Sequence, residues 1–324
     1  MTRDLDDQLT KYLTDAHSIE VQALAQLRTA PDLAGAPVLA DAFRAHLEET
    51  EGHERTTREL LEARGASPSR LKDAVMGLGG KGFLLFARLQ PDTPGKLFAH
   101  ALSYEGLELA SYELLGRVAA RAEADDVVAA AERIGDEERA MMQRLEANVD
   151  AAVEAALSEH PRDDLSSLLP RYLADAHAIE EQAIALLERA PAIVHEPAIE
   201  SVFSDHLAES RDHAELVQAR LQAIGGARSS LKDAAMRLGA LNWGTFFQGH
   251  PDTTGKLTAF AYAFEHLEIG GYEELRRVAE RAGDHETAQL AETILAQERA
   301  AATSLAGVFD AAANASLEEV GATS

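Results

Sequence analysis

Tyr12–Leu27 reads YLTDAHSIEVQALAQL, and Tyr172–Leu187 reads YLADAHAIEEQAIALL. The same offset of 160 joins LKDAVMGLG from Leu71 to LKDAAMRLG from Leu231, and PDTPGKL from Pro91 to PDTTGKL from Pro251. No insertion is needed between the two stretches. From Leu5/Leu165 to Leu157/Leu317, 64 of 153 aligned positions are identical. A period this long is the size of a whole domain, not of a solenoid unit. The 324-residue chain is therefore read as one domain written twice, residues 1–160 and 161–324, joined near Pro161.

Within one copy the periodicity is helical. Leu9, Tyr12, Leu13, Ala16, Ile19, Ala23, Leu24 and Leu27 recur at three- and four-residue steps. Ala30-Pro31 closes that stretch, and Pro37 opens a second helix predicted to reach Arg64 and stop at Gly65. A third is predicted from Asp92-Thr93-Pro94, an N-cap followed by a first-turn proline, to about Ala122. A fourth should run from Asp125 to Leu157, and no segment reads as a strand. Short links make helices one and two, and three and four, antiparallel neighbours. The 27 residues from Gly65 to Pro91, with a short helix near Ser69–Leu78, are enough to return along a bundle about 40 Å tall. The expected fold class is all-α: two tandem four-helix bundles, each with a long crossover between its second and third helices. That is the connectivity of ferritin-like bundles. The two copies are expected to pack as an intramolecular pseudo-dimer.

Composition narrows the function. With 55 acidic against 30 basic residues the net charge is −25. Such a surface repels phosphate backbones and anionic lipid, so neither nucleic acid nor membrane is an expected partner. The absence of cysteine excludes disulfides, thiolate metal sites and cysteine nucleophiles. The N-terminus MTRDLDDQLTKYL has no apolar signal core, and no apolar run is long enough to span a bilayer. A cytoplasmic protein is the expectation. GLGGKG at Gly77–Gly82 has the composition of a phosphate loop, but copy two reads RLGALNWG there and no strand precedes it.

Chemistry-bearing residues sit near the middle of each helix. They are His17 and Glu20 on the first, His46, Glu49 and His53 on the second, Glu105, Glu108 and Tyr112 on the third, and Glu138 on the fourth. All recur in copy two, as His177, Glu180, His206, Glu209, His213, Glu265, Glu268, Tyr272 and Glu298. At 1.5 Å per residue Glu20, Glu49, Glu105 and Glu138 fall in one layer, within about one helical turn. Glutamates ordinarily lie on solvated helix faces; the shared layer and its recurrence argue instead for ligation. Several inward carboxylates in a dry layer need compensation, because an uncompensated buried charge costs several kcal/mol. Two divalent cations supply it. Hard oxygen donors with one or two imidazoles suit iron or manganese, and zinc also fits. Glu49 and His53 are four apart and share a face, as do Glu209 and His213; His46 and His206, three residues before those glutamates, are alternatives.

The segments DAHSIEVQA, HLEETEGH, YEGLELASYELLGRVAARA and DEERAMM, with their second-copy counterparts, resemble the YciE/YciF-like family of ferritin-like proteins. The resemblance covers nearly all of both copies and implies a four-helix bundle with a di-metal centre. The ExxE pair on helix three is also similar to that of rubrerythrins. By that likeness Glu20, Glu49, Glu105, Glu108 and Glu138, and Glu180, Glu209, Glu265, Glu268 and Glu298, match ligand positions. Two departures stand out. Ferritins and rubrerythrins carry a histidine after the last-helix glutamate, where this chain has Met141 and Met142, or Ala301 and Ala302. The helix-two histidine follows its glutamate by four residues, not three. His17 and His177, one turn before their glutamates, are candidates to complete the sites. The expected function is a non-haem di-iron or di-manganese protein reacting with dioxygen or peroxide in oxidative stress protection. The alternatives are a manganese-catalase-like peroxide dismutation and a non-enzymatic stress-associated bundle with structural metal or none.

Overall fold

A computed structural model of the chain describes residues 5–68, 93–158, 160–226 and 253–322. The predicted crossovers, the short helix near Ser69–Leu78 and the GLGGKG stretch lie outside the described residues. The chain divides into two compact units, Met1–Leu157 with Leu317–Ser324, and Ser158–Ser316. Among the described residues the structure is all-α, with no strand.

The first unit contains α1 (Leu5–Leu27), the single turn α2 (Ala30–Leu33), α3 (Pro37–Ala63), α4 (Thr93–Arg121), α5 (Asp125–Glu146) and α6 (Val149–Leu157). The long helices form a closed ring: α1 packs on α3 and α4, and α5 packs on α4 and α3. The interior is filled by Leu13, Phe43, Leu61, Leu102, Leu115 and Ile134, all 2 % exposed or less. Each such side chain stabilises the fold by about 1.5–3 kcal/mol.

The second unit repeats the ring with α7 (Leu169–Leu187), α8 (Pro197–Ala223), α9 (Thr253–Ala282) and α10 (His285–Gly307), followed by α11 (Phe309–Glu319). Its first helix starts later than the first helix of copy one. Pro170 stands where copy one has Thr10, and a proline is tolerated in a first turn but not in a helix interior. Residues 162–168 therefore form a 3₁₀ turn ahead of α7.

Helix ends follow local chemistry. α3 closes at Gly65, φ 69°, with the Ala66 amide bonded to the Leu61 carbonyl, and α8 closes in the same way at Gly225. α4 closes on Glu123 at φ 54°, where copy two has Gly283 at φ 74°. The N-caps differ as well. Asp284 accepts from the Thr287 amide at 3.0 Å, whereas Ala124 has no side chain to do so.

One expectation is corrected. The fourth helix of copy one is not continuous from Asp125 to Leu157 but breaks at Ala147–Asn148. The Asn148 side-chain amide donates to the Arg144 carbonyl at 2.7 Å, and its backbone amide turns to Leu145. Such a local side-chain bond competes with the helical ladder. Copy two breaks at the matching place, after Gly307, with the Val308 amide turned to Leu305 in the same way and no side-chain bond, so the Asn148 bond accompanies the break and does not cause it.

Candidate metal centre

The ring of four helices aims one stripe of each inward, and halfway along the bundle those stripes turn polar. In copy one α1 delivers Glu20, α3 His46 and His53, α4 Glu105 and Glu108, and α5 Glu138, all 3 % exposed or less. Residues 105 and 108 are one turn apart, and 46 and 53 two turns apart, so each pair shares a face. His46 Nε2 lies 2.9 Å from Glu105 and 3.3 Å from Glu138. His53 Nδ1 lies 2.9 Å from Glu138 and 3.8 Å from Glu20. Two groups result, each with donor atoms within 4.8 Å of one another: His46, Glu105, Glu108 and Glu138, and Glu20, His53 and Glu138. Glu138 belongs to both.

Copy two rebuilds this with His206, Glu265, Glu268 and Glu298, and with Glu180, His213 and Glu298. His206 Nε2 is 2.9 Å from Glu265, and His213 Nδ1 is 2.9 Å from Glu298. In both copies a tyrosine one turn beyond the α4 or α9 pair reaches the first helix. Tyr112 donates to Glu20 at 2.5 Å, and Tyr272 donates to Glu180.

Burial sets the electrostatics. It pushes Glu20, helped by the Glu138 charge, up to about 8, and Glu105 up to about 7. Glu108 is raised well above the carboxylate range by burial and by Glu138 and Glu20. Burial also works against ionising Glu138, yet the His46 and His53 rings beside it hold it low. The histidines go the other way. Burial disfavours their charge, but Glu105 and Glu138 raise His46 well above its usual value, and Glu138 and Glu20 raise His53 to about 9. In copy two Glu265 reaches about 7, His206 about 9 and His213 about 10 by the same balance.

The predicted site residues divide. Glu20, His46, His53, Glu105, Glu108 and Glu138 come together, as do Glu180, His206, His213, Glu265, Glu268 and Glu298. Glu49 does not join them. Its side chain is 32 % exposed and is held by His46 Nδ1 at 3.0 Å and Arg144 at 3.5 Å. At 100° per residue it sits roughly 85° from the middle of the buried α3 stripe. Glu209 is likewise half-buried, outside both groups. His17 turns to Glu54 at 3.1 Å, and His177 is buried outside the groups.

Glu137, not singled out by spacing, sits 2.5 Å from His53 Nε2; in copy two Gln297 takes that role against His213 at 3.1 Å. A glutamate next to Glu138 on the outer side of α5 carries no signal of its own; only the crossing of α3 and α5 brings it to the ring. Met141, fully buried, and Met142, nearly so, occupy the next turn after Glu138, where copy two has alanines.

These donors suit a metal. Eight buried atoms of the first layer have no hydrogen-bond partner: Glu20 Oε2, His46 Nε2, His53 Nδ1, Glu105 Oε2 and both oxygens of Glu108 and Glu138. Buried polar atoms are rarely left so. Two ligands about 2.1 Å from one ion at a right angle lie about 3 Å apart, close to the His46 and His53 separations from their carboxylates. The two groups could each hold a metal ion.

Among the described residues no helix is long and apolar enough to cross a membrane. No solved structure matches the chain. A family profile described as a domain of unknown function, DUF892, matches residues 4–158 and again residues 164–318. Two matches that between them take in nearly the whole chain, each enclosing one complete His/Glu layer, make it a member of the DUF892 family in tandem duplication.

Proposed function

We propose that each repeat holds a pair of divalent metal ions, iron or manganese, and reacts with dioxygen or hydrogen peroxide in oxidative stress protection. The observation that carries this reading is the double membership of Glu138 and Glu298, each shared by two groups of buried donors. A carboxylate whose two oxygens make no hydrogen bond would be free to serve both groups. In copy one His46, Glu105 and Glu108 would hold one ion, Glu20 and His53 the other; in copy two His206, Glu265 and Glu268, and Glu180 and His213, would do the same. The carboxylate-rich donor set favours hard cations, and zinc is a weaker fit. The likeness to YciE/YciF-like ferritin-like proteins supports the same assignment.

A bound ferrous pair would supply two electrons, enough with two protons to take dioxygen to hydrogen peroxide or hydrogen peroxide to two waters. The chain's own residues do the rest. Tyr112 and Tyr272 fix the orientation of Glu20 and Glu180 through their hydroxyl bonds. Glu137 holds the outer nitrogen of His53, which sets the ring's direction and raises its basicity. In the metal-free layer Glu105 and Glu20, held near 7 and 8 by burial, keep protons around neutral pH, and metal binding would release them.

Metal analysis of purified, reconstituted protein tests the first half: about four ions per chain are expected, and none would end the reading. Stopped-flow mixing of anaerobic Fe(II)-loaded protein with peroxide or dioxygen tests the second. Oxidation faster than free Fe(II), with near-ultraviolet absorption, is expected. The near-complete burial of every donor favours a second reading, a stress-associated bundle whose metal is structural. Bound metal that oxidises no faster than in buffer would select it. Oxygen release from peroxide by the manganese form would select a catalase-like dismutation.

A further inference from the structure

Beside the first layer lies a cavity of about 20 Å³, lined among others by Ala23, Gln26, Phe43, His100, Tyr104 and Glu105. About 10–15 Å³ already admits one water, provided it finds two or more polar partners. Here they are present. Gln26 is 8 % exposed, and its Nε2 has no partner. Its Oε1 lies 2.9 Å from His100 Nε2, which fixes the amide. Burial lowers the His100 pKa to about 3, so the ring is neutral. Tyr104 donates to the Ile19 carbonyl at 3.0 Å, which leaves its oxygen able to accept. Glu105, a member of the first donor group, closes the wall. Gln26, Tyr104 and Glu105 thus form the polar edge of a mostly apolar space that has room for one small molecule and abuts the layer.

The same positions in copy two are Leu186, Phe260 and Phe264, with Glu265 retained. Every polar member of this wall other than the glutamate has become apolar. Leu186 and Phe264 are 4 % and 6 % exposed, so the change is in the interior and not on a tolerant surface.

We infer that copy one carries a built subsite for a hydrogen-bonding molecule of one or two heavy atoms, water or hydrogen peroxide, between Gln26, Tyr104 and Glu105, and that copy two lacks it. Resting on the di-metal reading above, this makes copy one the peroxide-reactive centre and copy two the slow one.

The test uses the full chain with copy two's own residues, which this fold already accommodates. The first arm needs no metal. A crystal structure of the metal-free protein should show ordered solvent within hydrogen-bond distance of Gln26 and Tyr104, and none between Leu186 and Phe264. An empty first cavity, or equal solvent in both copies, would overturn the subsite.

The second arm leaves one working layer at a time, with Glu298→Ala or Glu138→Ala, and follows peroxide oxidation of bound Fe(II). Copy one should react at least about tenfold faster than copy two. Gln26→Leu with His100→Phe and Tyr104→Phe should bring it down to the copy-two rate with metal content unchanged. If the triple variant does not fold, Tyr104→Phe alone should slow copy one by severalfold. Equal rates in the two copies, or unaltered rates in the variants, overturn the inequality. Absence of bound metal in the parent protein would instead count against the di-metal reading and leave the first arm to decide the subsite.

Discussion

Glu138 approaches His53 at 2.9 Å and His46 at 3.3 Å, and its two oxygens serve both groups of the first layer. Glu138→Ala is therefore expected to empty copy one and leave about two ions per chain, with Glu298→Ala as its mirror. Glu49→Ala, which removes the outer contact of His46 Nδ1 and that of Arg144, should keep about four ions. Plasma emission analysis of the three variants checks this; loss of metal in the Glu49 variant and not in the Glu138 variant would reverse the assignment. The contrast also shows what a sequence can convey. His46 and His53 are seven apart, two turns of one stripe, and that spacing is legible. Glu49, between them, reads equally well by residue type and is left outside the two groups by its angle on α3.

The same layer imposes a pH dependence on the metal-free protein. Glu20 near 8 and Glu105 near 7 lie above the carboxylate value of 4.5, and His53 near 9 lies above 6.5. The folded state thus binds more protons than the unfolded chain over roughly pH 5–9. The carboxyl contribution is complete below about 4.5 and is lost as pH rises through 7–8; that of His53 is complete below 6.5 and lost through about 9. The thermal midpoint of chelator-treated protein should fall from pH 6 to pH 9. Metal needs these groups deprotonated, so the midpoint difference between loaded and metal-free protein should widen over the same range. A metal-free midpoint that climbs with pH would contradict the protonated layer.

At the scale of elements, the repeat offset and the three-to-four periodicity make the long helices legible from the order of residues. Their ends are less so, because ends depend on single residues. The fourth helix breaks at the same place in both copies, at Asn148 with its bond to Arg144 and at Val308 without one, and Pro170 delays α7. The end of α4 supplies a test. Glu123 holds φ 54°, a conformation that costs a non-glycine residue roughly 1–2 kcal/mol, and copy two solves the same turn with Gly283. Glu123→Gly should stabilise the protein by about 0.5–1 kcal/mol, after the added freedom of glycine in the unfolded chain. Urea unfolding of the first copy's transition measures it; a lower midpoint would mean the Glu123 side chain stabilises the turn by more than its backbone costs.

For the whole molecule, the net charge of −25 draws cations toward both layers. Metal uptake rates should fall several-fold between low salt and about 0.5 M monovalent salt, as the Debye length shrinks below 10 Å, while the final stoichiometry stays the same. A rate indifferent to salt would place the barrier in the opening of the bundle. The duplication itself is visible as an exact offset, whereas the divergence at Gln26, His100 and Tyr104 looks like scatter among many substitutions. Only the packing of α1 against α4 turns those separate differences into one wall.

Met141 and Met142 follow Glu138 by one turn, and their counterparts Ala301 and Ala302 have no sulfur. On the proposed function, thioethers beside the layer would be open to slow oxygen transfer from peroxide, each gaining one oxygen as sulfoxide and becoming polar in a core that has no room for it. The two halves should consequently age at different speeds. After prolonged turnover, peptide mass spectrometry is expected to find sulfoxide at Met141 and Met142, and thermal scans to find the first bundle loosened while the second, with nothing there to oxidise, keeps its original melting behaviour.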